Sequence, residues 1–179
     1  MLPATRGTLM KSMFTSMLPR RLMRPRNMSM LSRPVERRAM TYWAVTCDID
    51  FLQQYNDVYG QQAGDDVLQK VSDALSKSCR GDDQVFMRGG KEFVMIVPGD
   101  SLARAKACAE RHRAAVEQLQ IPHQGSPFGI VTVCMGLATI VAGGRTATQE
   151  ALDEADAALY RAKRAGRNRV AAAVGMALS

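Results

Sequence analysis

Tyr42-Trp43-Ala44-Val45-Thr46-Cys47, followed by Asp48-Ile49-Asp50, is the stretch that decides the fold of this chain. Six aromatic, apolar and β-branched residues in a row read as a buried strand. Two carboxylates then arrive together at its end, so the strand carries charge to the rim of a core. Beyond them the period changes. Phe51, Leu52, Tyr55, Val58 and Tyr59 recur at helical spacing, and Gly60 is placed to stop that helix. Gly64-Asp65 precedes a longer helix with Val67, Leu68, Val71 and Leu75 on one face.

Working outward from that strand, Arg80-Gly81-Asp82-Asp83 reads as a turn. Gln84–Met87 and Glu92–Val97 read as two strands around Arg88-Gly89-Gly90-Lys91, a strong hairpin signal because glycine tolerates the positive φ of tight turns. An alanine-rich helix is expected over Ser101–Gln120, capped by Asp100 or Ser101. A long β-run is expected over Phe128–Ala142, with Gly136 as a bulge. A helix over Thr148–Ala165 closes at Gly166, and Asn168–Ala172 forms a last short strand. Upstream, residues 16–40 are rich in Met, Leu and Arg. Pro19, Pro25 and Pro34 restrict them to one or two short helices. Strands and helices alternate around a central hairpin, which predicts an α+β sheet, mixed or mainly antiparallel.

A length of 179 residues suits one domain with a sizeable core. No apolar run approaches the roughly 20 residues of a membrane span. Cys47, Cys79, Cys108 and Cys134 lie far apart and form no C-x-x-C pair. They read as reduced thiols of a cytoplasmic protein. His112 and His123 show no partner at ligand spacing, so no histidine-based metal site is expected. Residues 1–40 hold nine Lys/Arg against the single acid Glu36, while the remainder holds 15 bases and 16 acids. The whole excess of +7 therefore sits at the N-terminus. That segment reads as a basic arm for acidic partners, as an Arg- and Ser-rich transit peptide, or as the solvated face of a helix. Phe14 is the only aromatic residue before Tyr42, so no stacking platform for nucleic acid is expected there.

Four groups of residues could carry chemistry. Asp48 and Asp50, with the Ile49 carbonyl between them, can offer oxygens to one hard cation such as Mg²⁺, although D-x-D also serves as a helix cap. Asn56 and Asp65 flank Gly60 and Gly64; a carboxamide and a carboxylate can read a guanine edge, or simply make turns. Gly89-Gly90 exposes backbone N–H groups able to cradle phosphate, or is a plain hairpin turn. Lys163 and Arg167 lie one helical turn apart and can grip phosphates, or complement the helix dipole.

In this order the groups are specific. Asp48-Ile49-Asp50-Phe51, Asn56-Asp57, Gly60, Gly64-Asp65 and Leu68 come first. Gly89-Gly90-Lys91-Glu92-Phe93, then Ala162-Lys163 and Gly166-Arg167-Asn168, follow them. Together they resemble the GGDEF (diguanylate cyclase) family. Phe14-Thr15-Ser16-Met17-Leu18-Pro19-Arg20-Arg21 is similar to the family's opening motif, which favours the helical reading of the basic segment over a transit peptide. The resemblance divides the chain into a basic extension (1–11), a GGDEF-like domain (12–172) and a tail (173–179). It implies a nucleotide-cyclase-like α+β fold with a ferredoxin-like core: five mainly antiparallel strands wrapped by helices. It also implies condensation of two GTP into cyclic di-GMP at the interface of a homodimer, with two Mg²⁺ ions polarising the α-phosphate. Asp48 and the Ile49 carbonyl, with Asp50 beside them, would then hold metal, and Asn56 and Asp65 would read guanine. Gly89, Gly90, Lys163 and Arg167 would hold phosphates, and Glu92 would sit beside the nucleophile.

The signature departs from the family at Lys91, where an Asp or Glu is expected to bridge the metals. An ammonium in place of a carboxylate changes the local charge by two units, and one unit pair at ~4 Å is worth about 4 kcal/mol at an effective dielectric of ~20. Mg²⁺ binding is accordingly in doubt. The Lys91 ammonium is instead expected to pair with Asp48 or Asp50, leaving a site for GTP or GDP without metal. Gln53 stands in place of a phosphate-facing Lys, Gln61 in place of His, and Met87-Arg88 in place of Arg followed by an aromatic residue. Arg80 and Asp83 fit the family's inhibitory RxxD pattern, and Arg111 matches a position that assists it. Three readings follow: a silent receptor for cyclic di-GMP or GTP that signals to a protein partner, a working cyclase, or a ligand-free scaffold. The silent receptor is preferred, because Lys91 opposes catalysis and the retained Arg80/Asp83 pair opposes a bare scaffold.

Overall fold

The computed structural model describes residues 41–140 and 145–174. The readings of the opening motif, the basic segment and the extreme C-terminus lie outside the described residues. The elements run β1 (Tyr42–Ile49), α1 (Leu52–Tyr59), α2 (Gln61–Ser78), β2 (Gln84–Gly89), β3 (Glu92–Pro98), α3 (Leu102–Glu117), β4 (Val133–Ile140), α4 (Arg145–Arg164) and β5 (Val170–Ala172). They form one five-stranded sheet in the order β2-β3-β1-β4-β5. The ladders are antiparallel except for β4 with β5, which is parallel. The expected α+β, mainly antiparallel architecture is what the chain adopts.

β1 is central and buried on both faces, and its period of two sorts its side chains. Trp43, Val45, Cys47 and Ile49 enter the main core with Leu52 and Tyr55 of α1, Val67, Val71 and Leu75 of α2, and Ala105, Ala109 and Val116 of α3. Ala44 points to the other face and packs with Ala138, Ala151 and Ala155, the last two from α4. Of the described helices, three therefore cover one face and α4 covers the other. The same parity sends Asp48 to the α4 side. Phe93, Met95 and Val97 of β3 fill the main core, each stabilising by about 1.5–3 kcal/mol on burial.

The structure departs from the sequence reading at Gly136 and at the starts of β4 and α2. Gly136 is no bulge: the β1/β4 register runs unbroken from Tyr42–Ile140 to Ile49–Val133. A Cβ at Gly136 would run into the backbone of Ala155 and Leu159, so glycine lets α4 lie directly on the sheet. β4 starts at Val133 rather than Phe128, because Ile130 and Val131 pair back on the 121–122 loop instead of on β1. α2 begins at Gln61 rather than beyond Gly64. Gly60, at φ 87°, ends α1 and starts α2, while Gly64 sits buried beneath the Asn56 side chain, leaving no room for a Cβ. Ser101 caps α3 by accepting from the Arg104 N–H.

Candidate functional site

The end of β1 forms the floor of a cavity of about 240 Å³ whose lining includes Asp48, Ile49, Asp50, Phe51, Gln53, Lys91, Lys163 and Arg167. Register places Asp48 directly opposite Glu92 on β3 and Cys134 on β4. The Asp48 side chain is 3% exposed and is met from both sides by ammonium groups. Lys163 Nζ, from α4, lies 3.0 Å from its Oδ1, an ion pair without hydrogen-bond alignment. Lys91 Nζ, from the hairpin, lies 3.7 Å from its Oδ2. The two neighbouring thiols are not nucleophiles: burial, with Asp50 beside it, pushes Cys134 up to about 12, and burial likewise raises Cys47.

Asp50 is engaged elsewhere. Its Oδ2 accepts from the Thr132 hydroxyl at 2.8 Å and from the Asn168 N–H at 3.1 Å, while its Oδ1 is buried without a hydrogen-bond partner. Asp50 thereby ties the end of β1 to the residue that precedes β4 and to the loop after α4. That loop carries Arg167, whose guanidinium lies over the Phe51 ring at 4.3 Å. Phe51 and Arg167 both hold positive φ, 56° and 60°. Phe51 is held by His123, which sequence reasoning left without a role. The Gly125 N–H donates to His123 Nδ1, so His123 Nε2–H donates to the Phe51 carbonyl at 3.0 Å. Asn168 is pinned further by Arg113, which donates to its Oδ1 at 2.6 Å, and by Glu117, which accepts from its Nδ2 at 2.7 Å.

At the hairpin, β2 and β3 meet through a turn at Gly90-Lys91, with a register shift between Met87 and Gly89. Gly89 and Gly90 take φ of 150° and 50°, values that favour glycine. Arg88 spans the gap to α4: it donates to Asp156 at 2.8 Å and to Glu92 at 3.3 Å. The hydrogen bond to Asp156 leads the causes that raise its pKa. Glu92 thus faces Asp48 in register but is neutralised by an arginine. At the other rim, Gln61 bridges the two expected guanine readers. It accepts from Asn56 Nδ2 at 3.4 Å and donates to Asp65 at 3.3 Å, and Asn56 Oδ1 is buried without a partner.

Arg80, Asp83 and Arg111 come together at a second place. The 80–83 turn is closed by the Asp83 N–H on the Arg80 carbonyl and by the Arg80 N–H on Asp83 Oδ2. Arg111 donates to that same carboxylate at 2.9 Å, to the Ser78 carbonyl at 3.0 Å and to Cys108 Sγ at 3.1 Å. Lys77, Ser78, Arg80, Arg111 and Gln118 line a cavity of about 300 Å³ there. The expectation that His112 lacks a partner at ligand spacing is corrected here. Cys108 and His112 stand four apart on α3, and their ligand atoms and that of Asp83 lie within 4.8 Å of one another. The signal was present as C-x-x-x-H on a helix. The Arg111 guanidinium bonds both Asp83 and Cys108 and so already supplies the cluster with a cation.

Residues 13–169 match the family described as "Diguanylate cyclase, GGDEF domain". The chain is 39% identical over 123 residues to diguanylate cyclase DgcP of Pseudomonas aeruginosa, covering 69% of this chain and 18% of that protein. It is 36% identical over 135 residues to the response regulator PleD of Caulobacter vibrioides, covering 71% and 28%. The chain therefore spans between about a fifth and just over a quarter of the length of these curated relatives. Among solved structures it resembles the GGDEF domain of DgcB from Caulobacter crescentus in complex with c-di-GMP (TM-score 0.65, 31% identity, covering 74% of this chain and 78% of that one). It also resembles diguanylate cyclase SiaD from Pseudomonas aeruginosa in complex with its activator SiaC (TM-score 0.63, 31% identity, covering 74% and 50%).

Proposed function

The chain belongs to the GGDEF diguanylate cyclase family, and from that premise we propose that it is a catalytically silent domain of cyclic di-GMP signalling, binding the dinucleotide at Arg80, Asp83 and Arg111. The observation that carries the silence is the state of Asp48. Each of its carboxylate oxygens faces a lysine ammonium, at 3.0 and 3.7 Å. Mg²⁺, the metal this family's cyclases typically use, does not fit there. A divalent ion brought to Asp48 would meet two like charges, each offsetting the roughly 8 kcal/mol that one carboxylate offers such an ion at ~4 Å and an effective dielectric of ~20. Solvent lessens this at Lys91, whose side chain is 45% exposed, but not enough to favour two bound ions. Asp50 commits its Oδ2 to Thr132 and Asn168 and keeps only its buried Oδ1 open, one oxygen where two hard cations need several.

The receptor half of the proposal draws on the second cavity. An arginine and a carboxylate can read guanine edges, and arginine stacks on purine faces. The solved DgcB domain was captured with c-di-GMP. Readout passes to a protein partner, a class of contact that SiaD makes with SiaC. The alternative, a working cyclase, draws on the register that sets Asp48 opposite Glu92. Turnover separates the two. Full chain with GTP and Mg²⁺ or Mn²⁺, analysed for cyclic di-GMP by mass spectrometry, is expected to yield none, and so is Arg80→Ala, run so that product inhibition cannot mask activity. Product from either protein overturns the silent reading.

A further inference from the structure

The cavity at the end of β1 has the charge of an anion site that needs no metal. Its charged lining is Lys91, Lys163 and Arg167 against Asp48 and Asp50, which leaves one net positive charge. A carboxylate at position 91 would have left one net negative charge, and a polyanion could then enter only with divalent ions. We infer that this cavity takes the polyphosphate of a guanine nucleotide without a divalent cation, the Lys91 ammonium supplying the charge that a metal would bring. The inference rests on the reading of Asp48 as closed to Mg²⁺.

Three features support it. Lys91 is held to Asp48 only loosely, at 3.7 Å, and its side chain is about half exposed, so it can turn to a phosphate while staying near the carboxylate. Arg167 is set in place beforehand by the Phe51 ring and the Asp50–Asn168 bond, so little ordering is left for binding to supply. Beyond that lining, one turn along α1 from Gln53, Gln61 links the Asn56 carboxamide, packed over Gly64, to the Asp65 carboxylate. Those are acceptors for the N1–H and amino group of guanine.

The test is GTP binding to the full chain in EDTA and in Mg²⁺, with Lys91→Ala and Lys91→Asp beside wild type. Wild type is expected to bind at least as tightly in EDTA as in Mg²⁺. Lys91→Ala should weaken binding in EDTA by about tenfold or more. Lys91→Asp should bind only when Mg²⁺ is present. Both substitutions lie in an exposed hairpin turn, and thermal melts check that they fold. Binding that requires Mg²⁺ in wild type, an unchanged affinity in Lys91→Ala, or no binding under any condition overturns the inference. Inorganic tripolyphosphate is the second probe. Weaker binding than GTP supports a nucleotide, whereas equal affinity overturns that assignment. Turnover and cyclic di-GMP titration on the same samples tell the two ideas apart: cyclic di-GMP made from GTP overturns both, whereas failed GTP binding in EDTA with no turnover overturns only the metal-free site.

Discussion

His112 has 0% exposure, contacts Ser78 through Nδ1, and leaves Nε2 without a partner. Burial, with the Arg111 guanidinium adding to it, holds its pKa down at about 4 against an ordinary 6.5. Between those values the unfolded chain binds a proton that the folded chain does not, so stability is complete above about pH 6.5 and falls as pH drops towards 4. The expected loss between pH 7 and pH 5 is about 2 kcal/mol from this residue. Urea melts at the two pH values check it, and His112→Gln should flatten the difference while lowering stability at pH 7. Lys91 shows the opposite side of what single residues disclose. Its identity in the glycine turn was enough to expect an ion pair with Asp48 or Asp50, because charge and hairpin register are both legible in sequence. The role of His123 was not legible, because its partner is a backbone carbonyl 72 residues away, and no side-chain pattern marks such an acceptor.

At the scale of elements, α4 and the sheet depend on one missing side chain. Gly136→Ala would push a methyl group into the Ala155 and Leu159 backbone, which cannot move aside as a side chain can. The helix must lift, and overpacking of this kind costs about 1–3 kcal/mol or more. A lowered melting temperature is the expected result; an unchanged one would mean that α4 does not lie this close. The loop after α4 depends on Asn168, which bonds Arg113 and Glu117 on α3 through its side chain and Asp50 through its N–H. Asn168→Ala removes the two side-chain bonds and should destabilise by about 1–3 kcal/mol. It should also speed amide exchange at residues 166–170, read by mass spectrometry. Periodicity located every described strand and helix, since amphipathic spacing is a local property. It misjudged Gly136 and the start of β4, because a glycine under a crossing helix looks like a bulge in sequence. An apolar stretch that pairs back on the nearby 121–122 loop likewise looks like strand.

Across the whole domain, the two cavities lie on different elements and answer to different chemistry. The first joins β1, the hairpin and α4; the second joins α2, the 80–83 turn and α3. Their residues were legible as groups because each motif is short and local. The balance of charge between motifs was not, since it depends on Arg88 and Lys163 reaching across from other elements. A ligand that binds only the folded domain raises its stability by about 2.7 kcal/mol at a hundredfold excess over Kd. For a domain of this size that is a rise in melting temperature of roughly 5–10 °C. Cyclic di-GMP should produce such a rise in wild type. Arg80→Ala should abolish it while leaving the ligand-free melting temperature unchanged. The reason is structural: the Arg80 N–H, not its guanidinium, bonds Asp83, and the side chain is exposed. Arg111→Ala should abolish the rise and also lower the ligand-free melting temperature, because its guanidinium holds Asp83, Ser78 and Cys108 together. A full rise in Arg80→Ala would place the dinucleotide elsewhere on the domain. The contrast between the two arginines separates a lost ligand contact from a loosened turn.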